Sequence, residues 1–167
     1  MALPFNTEKI IYRRDLQPAD RPHIYEIVIS TDFFSKEEID IAIELVDERL
    51  SKGSRSGYLF LFAEYAGQVI GYTCYGRIAG TVGSFDVYWI AVHRLFQGNG
   101  IGKSLLQKTE QLIMKEGGRR FYIETSSRDQ YKNTRLFYLS FGFRQDAFMK
   151  DFYAPEDGKI VYVKNIP

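Results

Sequence analysis

The stretch from Ser84 to Thr125 constrains this chain most. An apolar run, SFDVYWIAV (Ser84–Val92), leads into the glycine-punctuated segment Gln97-Gly98-Asn99-Gly100-Ile101-Gly102. A run follows in which Ile101, Leu105, Thr109, Leu112 and Ile113 share one helical face, and Gly117-Gly118 is a natural stop for it. A second strand-like run covers Arg120–Thr125. Strand, glycine loop, helix and strand in that order make a βαβ unit, whose crossover implies a parallel strand pair.

The flanking segments predict a mixed α/β order. Ile10–Arg14 reads as a short strand, and a helix starts near Pro18–Asp20 and runs through Ile24, Ile27 and Val28. Ser35 with Glu38 has capping-box spacing, and Ile39, Ile43, Val46 and Leu50 then form one apolar stripe. LFLFAEY and QVIGYTCYGRI around Ala66-Gly67 read as a β-hairpin. Helical spacing returns over Thr134–Ser140, and FRQDAFMKDFY and KIVYVKN predict two strands joined by a loop over Ala154–Gly158. The order is βααβββαβαββ, without internal repeat, and residues 1–167 read as a single domain.

Composition narrows the class. With 45% hydrophobic and 16% aromatic residues, the chain suits a packed globule and not a disordered tail. A net charge of +1 gives no general attraction to nucleic acid or an anionic membrane, though a local phosphate site stays open. Cys74 is the single cysteine, which excludes an intrachain disulfide and a cysteine-clustered zinc site, and its apolar surroundings predict a buried inert thiol. The N-terminus lacks the basic-then-apolar order of a signal peptide, and no apolar stretch reaches the ~20 residues of a membrane span. The expectation is a soluble cytoplasmic protein without a metal; the oligomeric state stays open, a homodimer included.

Glycines between strand and helix let the backbone approach a ligand, and the helix start offers free N–H groups suited to phosphate. Lys103 and Arg94 add positive charge. Gly102-Lys103-Ser104 copies the end of a G-x-x-x-x-G-K-S nucleotide loop, but its first glycine falls at Gln97. The following FYIET also lacks the apolar run ending in Asp that holds magnesium in such enzymes. A G-x-G-x-x-G dinucleotide loop fails on spacing, because its last glycine falls at Lys103 or Leu105.

Gln97–Gly102 instead resemble the Q/R-x-x-G-x-G/A loop by which the GNAT (GCN5-related N-acetyltransferase) superfamily holds the pyrophosphate of acetyl-CoA. YWIAVHRLFQGNGIGKSLL resembles the family's fourth strand, loop and third helix, and TRLFYLSFGF resembles a second signature. The likeness covers residues 8–165. It implies an α/β fold of the GNAT type, with a mixed, mostly antiparallel sheet, a splayed parallel pair and helices on both faces. The implied activity moves the acetyl group from acetyl-CoA to a primary amine of a small molecule or a peptide N-terminus. A non-catalytic acyl-CoA-binding module on the same fold is the alternative.

The resemblance also implies roles. The backbone of Ile90, Ala91 and Val92 would pair with the pantetheine arm and polarise the thioester carbonyl, since preorganised amide donors stabilise developing oxyanion charge. Gln97, Gly98, Asn99, Gly100, Ile101, Gly102 and Lys103 would hold the pyrophosphate. Tyr138, four residues before Gly142, would protonate the departing thiolate. Asp86 and Glu124 both fall where family members place a base, and the choice stays open; His93 reads as a loop or phosphate contact. The family's Asn seven residues before the tyrosine is Tyr131 here, so the CoA-arm contact passes to Thr134 or Arg135. Acceptor recognition falls to Ser30–Phe34 and Asp151–Gly158: Phe33, Phe34, Phe152 and Tyr153 as walls, and Asp32, Asp151, Glu156 and Asp157 favouring a cationic amine. The final DFYAPEDGKIVYV resembles the end of protein N-terminal acetyltransferases, which hints at a peptide α-amine.

Overall fold

The chain runs β1 (Ile11–Arg13), α1 (Asp20–Ser30), α2 (Lys36–Lys52), β2 (Leu59–Tyr65), β3 (Gln68–Arg77), β4 (Ser84–Val92), α3 (Ile101–Lys115), β5 (Arg120–Ser126), α4 (Lys132–Ser140), β6 (Arg144–Ala154) and β7 (Asp157–Asn165), with short 3-10 turns between some of them. This computed structural model describes residues 5–167. The strands hydrogen-bond in the order β1-β2-β3-β4-β5-β7-β6. The βαβ unit pairs β4 with β5 in parallel, as its crossover requires, from Ser84↔Arg120 to Val87↔Ile123. Pairings β1–β2, β2–β3, β5–β7 and β6–β7 are antiparallel. No helix among the described residues is long and apolar enough to cross a membrane.

Two compact units share β4 and α3. One comprises the chain up to Gly76 with Trp89–Thr109, the other Arg77–Tyr88 with Glu110–Pro167. In the first, the capping box forms as spaced: Ser35 Oγ accepts from the Glu38 amide (3.2 Å) and Glu38 Oε2 from the Ser35 amide (2.8 Å). The α2 stripe then packs into a core with Ile24, Ile27 and Val28 of α1 and Phe60, Phe62 and Tyr72 of the hairpin. Each such buried side chain contributes about 1.5–3 kcal/mol of transfer free energy. Cys74 lies in this core, and burial pushes its thiol pKa up, as an inert thiol requires. Thr109 stands on the apolar face of α3 because its hydroxyl is satisfied twice, by Thr73 Oγ1 (2.8 Å) and the Leu105 carbonyl (2.8 Å). Ala66 and Gly67, both at positive φ (51° and 79°), make the β2–β3 turn.

In the second unit, Gly118 N donates to the Ile113 carbonyl at 2.9 Å, closing α3 where Gly117 takes φ 76°. Phe121 and Phe143 pack at 4.9 Å, and Phe85, Ile123, Tyr138 and Tyr162 are buried with them. Two expectations are corrected here. Helix α4 starts at Lys132, two residues early, because a 3-10 turn over Asp129–Tyr131 feeds directly into it. The loop over Ala154–Gly158 shrinks to a two-residue turn: Ala154 pairs with Asp157, and Glu156 takes φ 66° with its amide donating to Asp151 Oδ1 at 2.8 Å.

Candidate active site

Local hydrogen bonds shape the glycine loop in the first unit. Gln97 Nε2 donates to the Val92 carbonyl at the end of β4 (2.9 Å), and Asn99 Nδ2 to the carbonyls of Phe96 (3.1 Å) and Gln97 (3.2 Å). Gly98 and Gly100 take φ 78° and 76°, and a Cβ on either would meet nothing within 4 Å. The loop is therefore open to a ligand on the side that a side chain would fill. Ser104 N donates to the Gly100 carbonyl as the first helical bond of α3. The amides of Ile101, Gly102 and Lys103 thus precede the intrahelical ladder, and the positive end of the helix dipole adds to them. Arg94 and Lys103 are exposed. Behind the loop, Gly71 of β3 allows close packing: a Cβ there would lie 3.1 Å from the Ala91 carbonyl and 3.2 Å from Leu105 Cδ1. His93 is used locally, its amide bonded to the Ile70 carbonyl and its Nδ1 accepting from Leu95 N.

Strand alternation places the carboxylates in the second unit. Phe85 and Val87 are buried, so Asp86 faces the other way; Phe121, Ile123 and Thr125 are buried, so Tyr122 and Glu124 do likewise. The parallel register sets Asp86 opposite Tyr122, which puts Asp86 and Glu124 on one face. Pairing with β5 ends at Val87↔Ile123, beside both of them, although β4 runs on to Val92 and β5 to Ser126. The antiparallel register sets Val161 opposite Glu124, and Lys159, two residues away, shares its face. Lys159 Nζ donates to Glu124 Oε1 at 3.0 Å and stands 4.3 Å over the Phe152 ring. Burial pushes the Asp86 carboxyl up to about 6, the charge of Glu124 adds to that, and Lys159 opposes it.

Tyr138 is on the opposite face of these strands. Its ring lies 6.0 Å from Tyr162, which pairs with the buried Ile123, and 6.0 Å from Phe143. The side chain is almost wholly buried, and that desolvation, with a smaller contribution from Tyr162, holds the phenol pKa above its ordinary value. It is protonated at neutral pH.

The remaining candidates divide by what their side chains already do. Arg135 Nη1 donates to the carbonyls of Ser126 (3.0 Å) and Arg128 (2.8 Å), so its guanidinium braces the end of β5; Thr134 lies beside it at the start of α4. Phe34 packs on Trp89 at 4.8 Å with Phe33 edge-on against it at 5.2 Å. Phe152 and Tyr153 are half exposed and stand edge-to-face at 5.0 Å. Asp151, at φ 51°, spends Oδ1 on the turn amide of Glu156. Asp157 is no loop charge: it is buried at the start of β7, bonded to the Ser126 hydroxyl and 3.1 Å from Arg128 Nε. Lys159 escaped the sequence reading because it stands 35 positions from Glu124. The alternation of KIVYVKN carried the signal for its face but not for its partner.

Residues 19–143 match the Acetyltransferase (GNAT) family. A protein of the GNAT family from Desulfovibrio desulfuricans superposes with a TM-score of 0.92 at 40% identity, over 95% of this chain and 99% of that one. The ribosomal-protein-S18-alanine N-acetyltransferase of Escherichia coli shares the fold at TM-score 0.75 and 19% identity, over 94% of each chain. So does the aminoglycoside 6′-N-acetyltransferase of Enterococcus faecium, at 0.74 and 16%, over 95% and 97%. No curated protein matches the chain in sequence. The chain belongs to the GNAT acetyltransferase family. It is accordingly an acyl-CoA-dependent acetyltransferase.

Proposed function

We propose that the protein, with residues 1–167 acting as one domain, transfers the acetyl group of acetyl-CoA to a weakly basic primary amine, above all an α-amine. Its co-substrate's pyrophosphate is received by the loop from Gln97 to Lys103, whose open glycine faces and leading helix amides fit a phosphate group. The backbone of Ile90–Val92 serves the pantetheine arm. Asp86 takes the ammonium proton of the acceptor; the neutral amine then attacks the thioester carbonyl carbon, the C–N bond forms, the C–S bond breaks, Tyr138 gives a proton to the sulfur, and the second amine proton leaves to water.

The observation that carries the reading is Asp86, a carboxyl raised to about 6 beside the end of the β4–β5 pairing; the choice among acceptors rests on the amines' own pKa values, whose difference is the same for any base. Drawing a proton from an α-amine of pKa near 8 onto such a base costs about 3 kcal/mol, and from a lysine ε-amine near 10.4 about 6 kcal/mol. The difference favours the α-amine by roughly two orders of magnitude before any contact is counted. Support from kinship is coarser: the E. coli neighbour is named for an alanine N-acetyltransferase activity and the E. faecium neighbour for an aminoglycoside amine.

The test is turnover at neutral pH with three acceptors: a lysine-free peptide with a free N-terminus, the same peptide N-terminally blocked and carrying one lysine, and an aminoglycoside. The free N-terminus is expected to give the highest kcat/KM. An equal or higher value for the ε-amine overturns the reading.

A further inference from the structure

Lys159 is held from both neighbouring strands. Glu124 of β5 takes its ammonium at 3.0 Å, and the Phe152 ring of β6 lies under it at 4.3 Å. Its side chain is only 14% exposed, against 46% for that of Glu124, so the cation is the fixed member of the pair and the carboxylate the more solvated one. A charge-assisted bond of this kind ties Glu124 to the ammonium and occupies its Oε1. Asp86 is on the same face without such a bond, opposite Tyr122 and near Glu124.

We infer that Lys159 is a positioning residue for the carboxylate pair: its ammonium engages Glu124 and leaves Asp86 as the group that takes the acceptor's proton. The inference rests on the proposed role of Asp86 and adds what separates two acids that the sequence leaves equivalent. The charged and titratable groups facing Asp86 are Glu124 and Tyr122 from β5 and Lys159 from β7. With the Lys159 charge removed, nothing offsets the repulsion of Glu124. Asp86 then stays protonated to higher pH. Lys159 also keeps Glu124 from acting as a second resting place for the acceptor's ammonium.

The experiment is the pH dependence of kcat/KM for wild type, Asp86→Asn, Lys159→Met, Lys159→Gln, Lys159→Arg and Glu124→Gln, with one acceptor throughout so that its own titration is common to all. Lys159→Met is expected to move the acid limb up by about one pH unit, a loss of roughly fivefold at pH 6 that fades by pH 8. Lys159→Gln, which keeps a donor for Glu124 but no charge, gives the same displacement if the methionine variant folds poorly. Lys159→Arg keeps the wild-type limb, and Glu124→Gln moves the limb down. An unmoved limb in both neutral variants overturns the inference while leaving Asp86 in place, provided Asp86→Asn has abolished the limb. If Asp86→Asn keeps the wild-type profile, the assignment of the base fails first and this inference falls with it.

Discussion

Asp86 and Glu124 stand on one face of adjacent parallel strands, and the charge of Glu124 adds to burial in raising the Asp86 carboxyl to about 6. A carboxyl held there is poised to exchange a proton near neutrality, where a solvated aspartate near 3.9 is a weak base.

That placement costs stability, with a definite sign. A raised carboxyl favours the folded state while protonated; the contribution is complete below about pH 4 and is lost as pH rises through about 6. Asp86→Asn should therefore melt above wild type at pH 7–8 and together with it near pH 4. The gain is on the order of 1 kcal/mol once solvent screening of this half-exposed group is allowed for. The same variant should lose roughly 10²–10⁴-fold in kcat. Thermal melts across pH, beside turnover, read both; a variant that is active and no more stable contradicts the assignment.

Tyr138→Phe removes one hydroxyl from a buried ring, so the fold and acetyl-CoA affinity should hold. General acid catalysis is worth 10²–10⁴-fold, but a thiol already leaves readily, so kcat should fall by roughly tenfold to a hundredfold. The deficit should shrink with an acyl donor of lower thiol pKa. Unchanged kcat, where chemistry limits turnover, would remove Tyr138 from the mechanism.

Gly100 separates ligand from backbone. A side chain there meets no protein atom, but φ 76° is strained for any other residue, by roughly 1–2 kcal/mol. Gly100→Ala should show that strain in its melt and lose part of its CoA affinity, because its methyl enters the space proposed for the phosphates, whereas Gly100→Asp should abolish CoA binding by adding negative charge there. Calorimetry on the folded variants decides it; wild-type affinity in Gly100→Asp means that the loop serves another ligand. Gly102→Asp, in the first turn of α3, should lose binding in the same way.

Acetyl-CoA at ~100 times its dissociation constant should add about 2.7 kcal/mol to unfolding, a rise of roughly 5–10 °C for a chain of this size. Magnesium-ATP should give none. A shift with ATP and none with acetyl-CoA would revive the nucleotide-loop reading that Gln97 argues against.

What the sequence by itself determined is local. The order of elements, the Ser35–Glu38 capping box, the Ala66-Gly67 turn and the parallel β4–β5 pair follow from periodicity and turn chemistry acting over a few residues. The glycine loop was legible for the same reason, since loop and helix start are contiguous in the chain. Tertiary structure decided what depends on register across distant strands. β7 inserts between β5 and β6, and only that brings Lys159 to Glu124 and takes Asp157 out of the loop into an ion pair with Arg128. Asp86 and Glu124 looked alike as residues; they differ because desolvation and a neighbouring ammonium are properties of packing, which no spacing of letters contains.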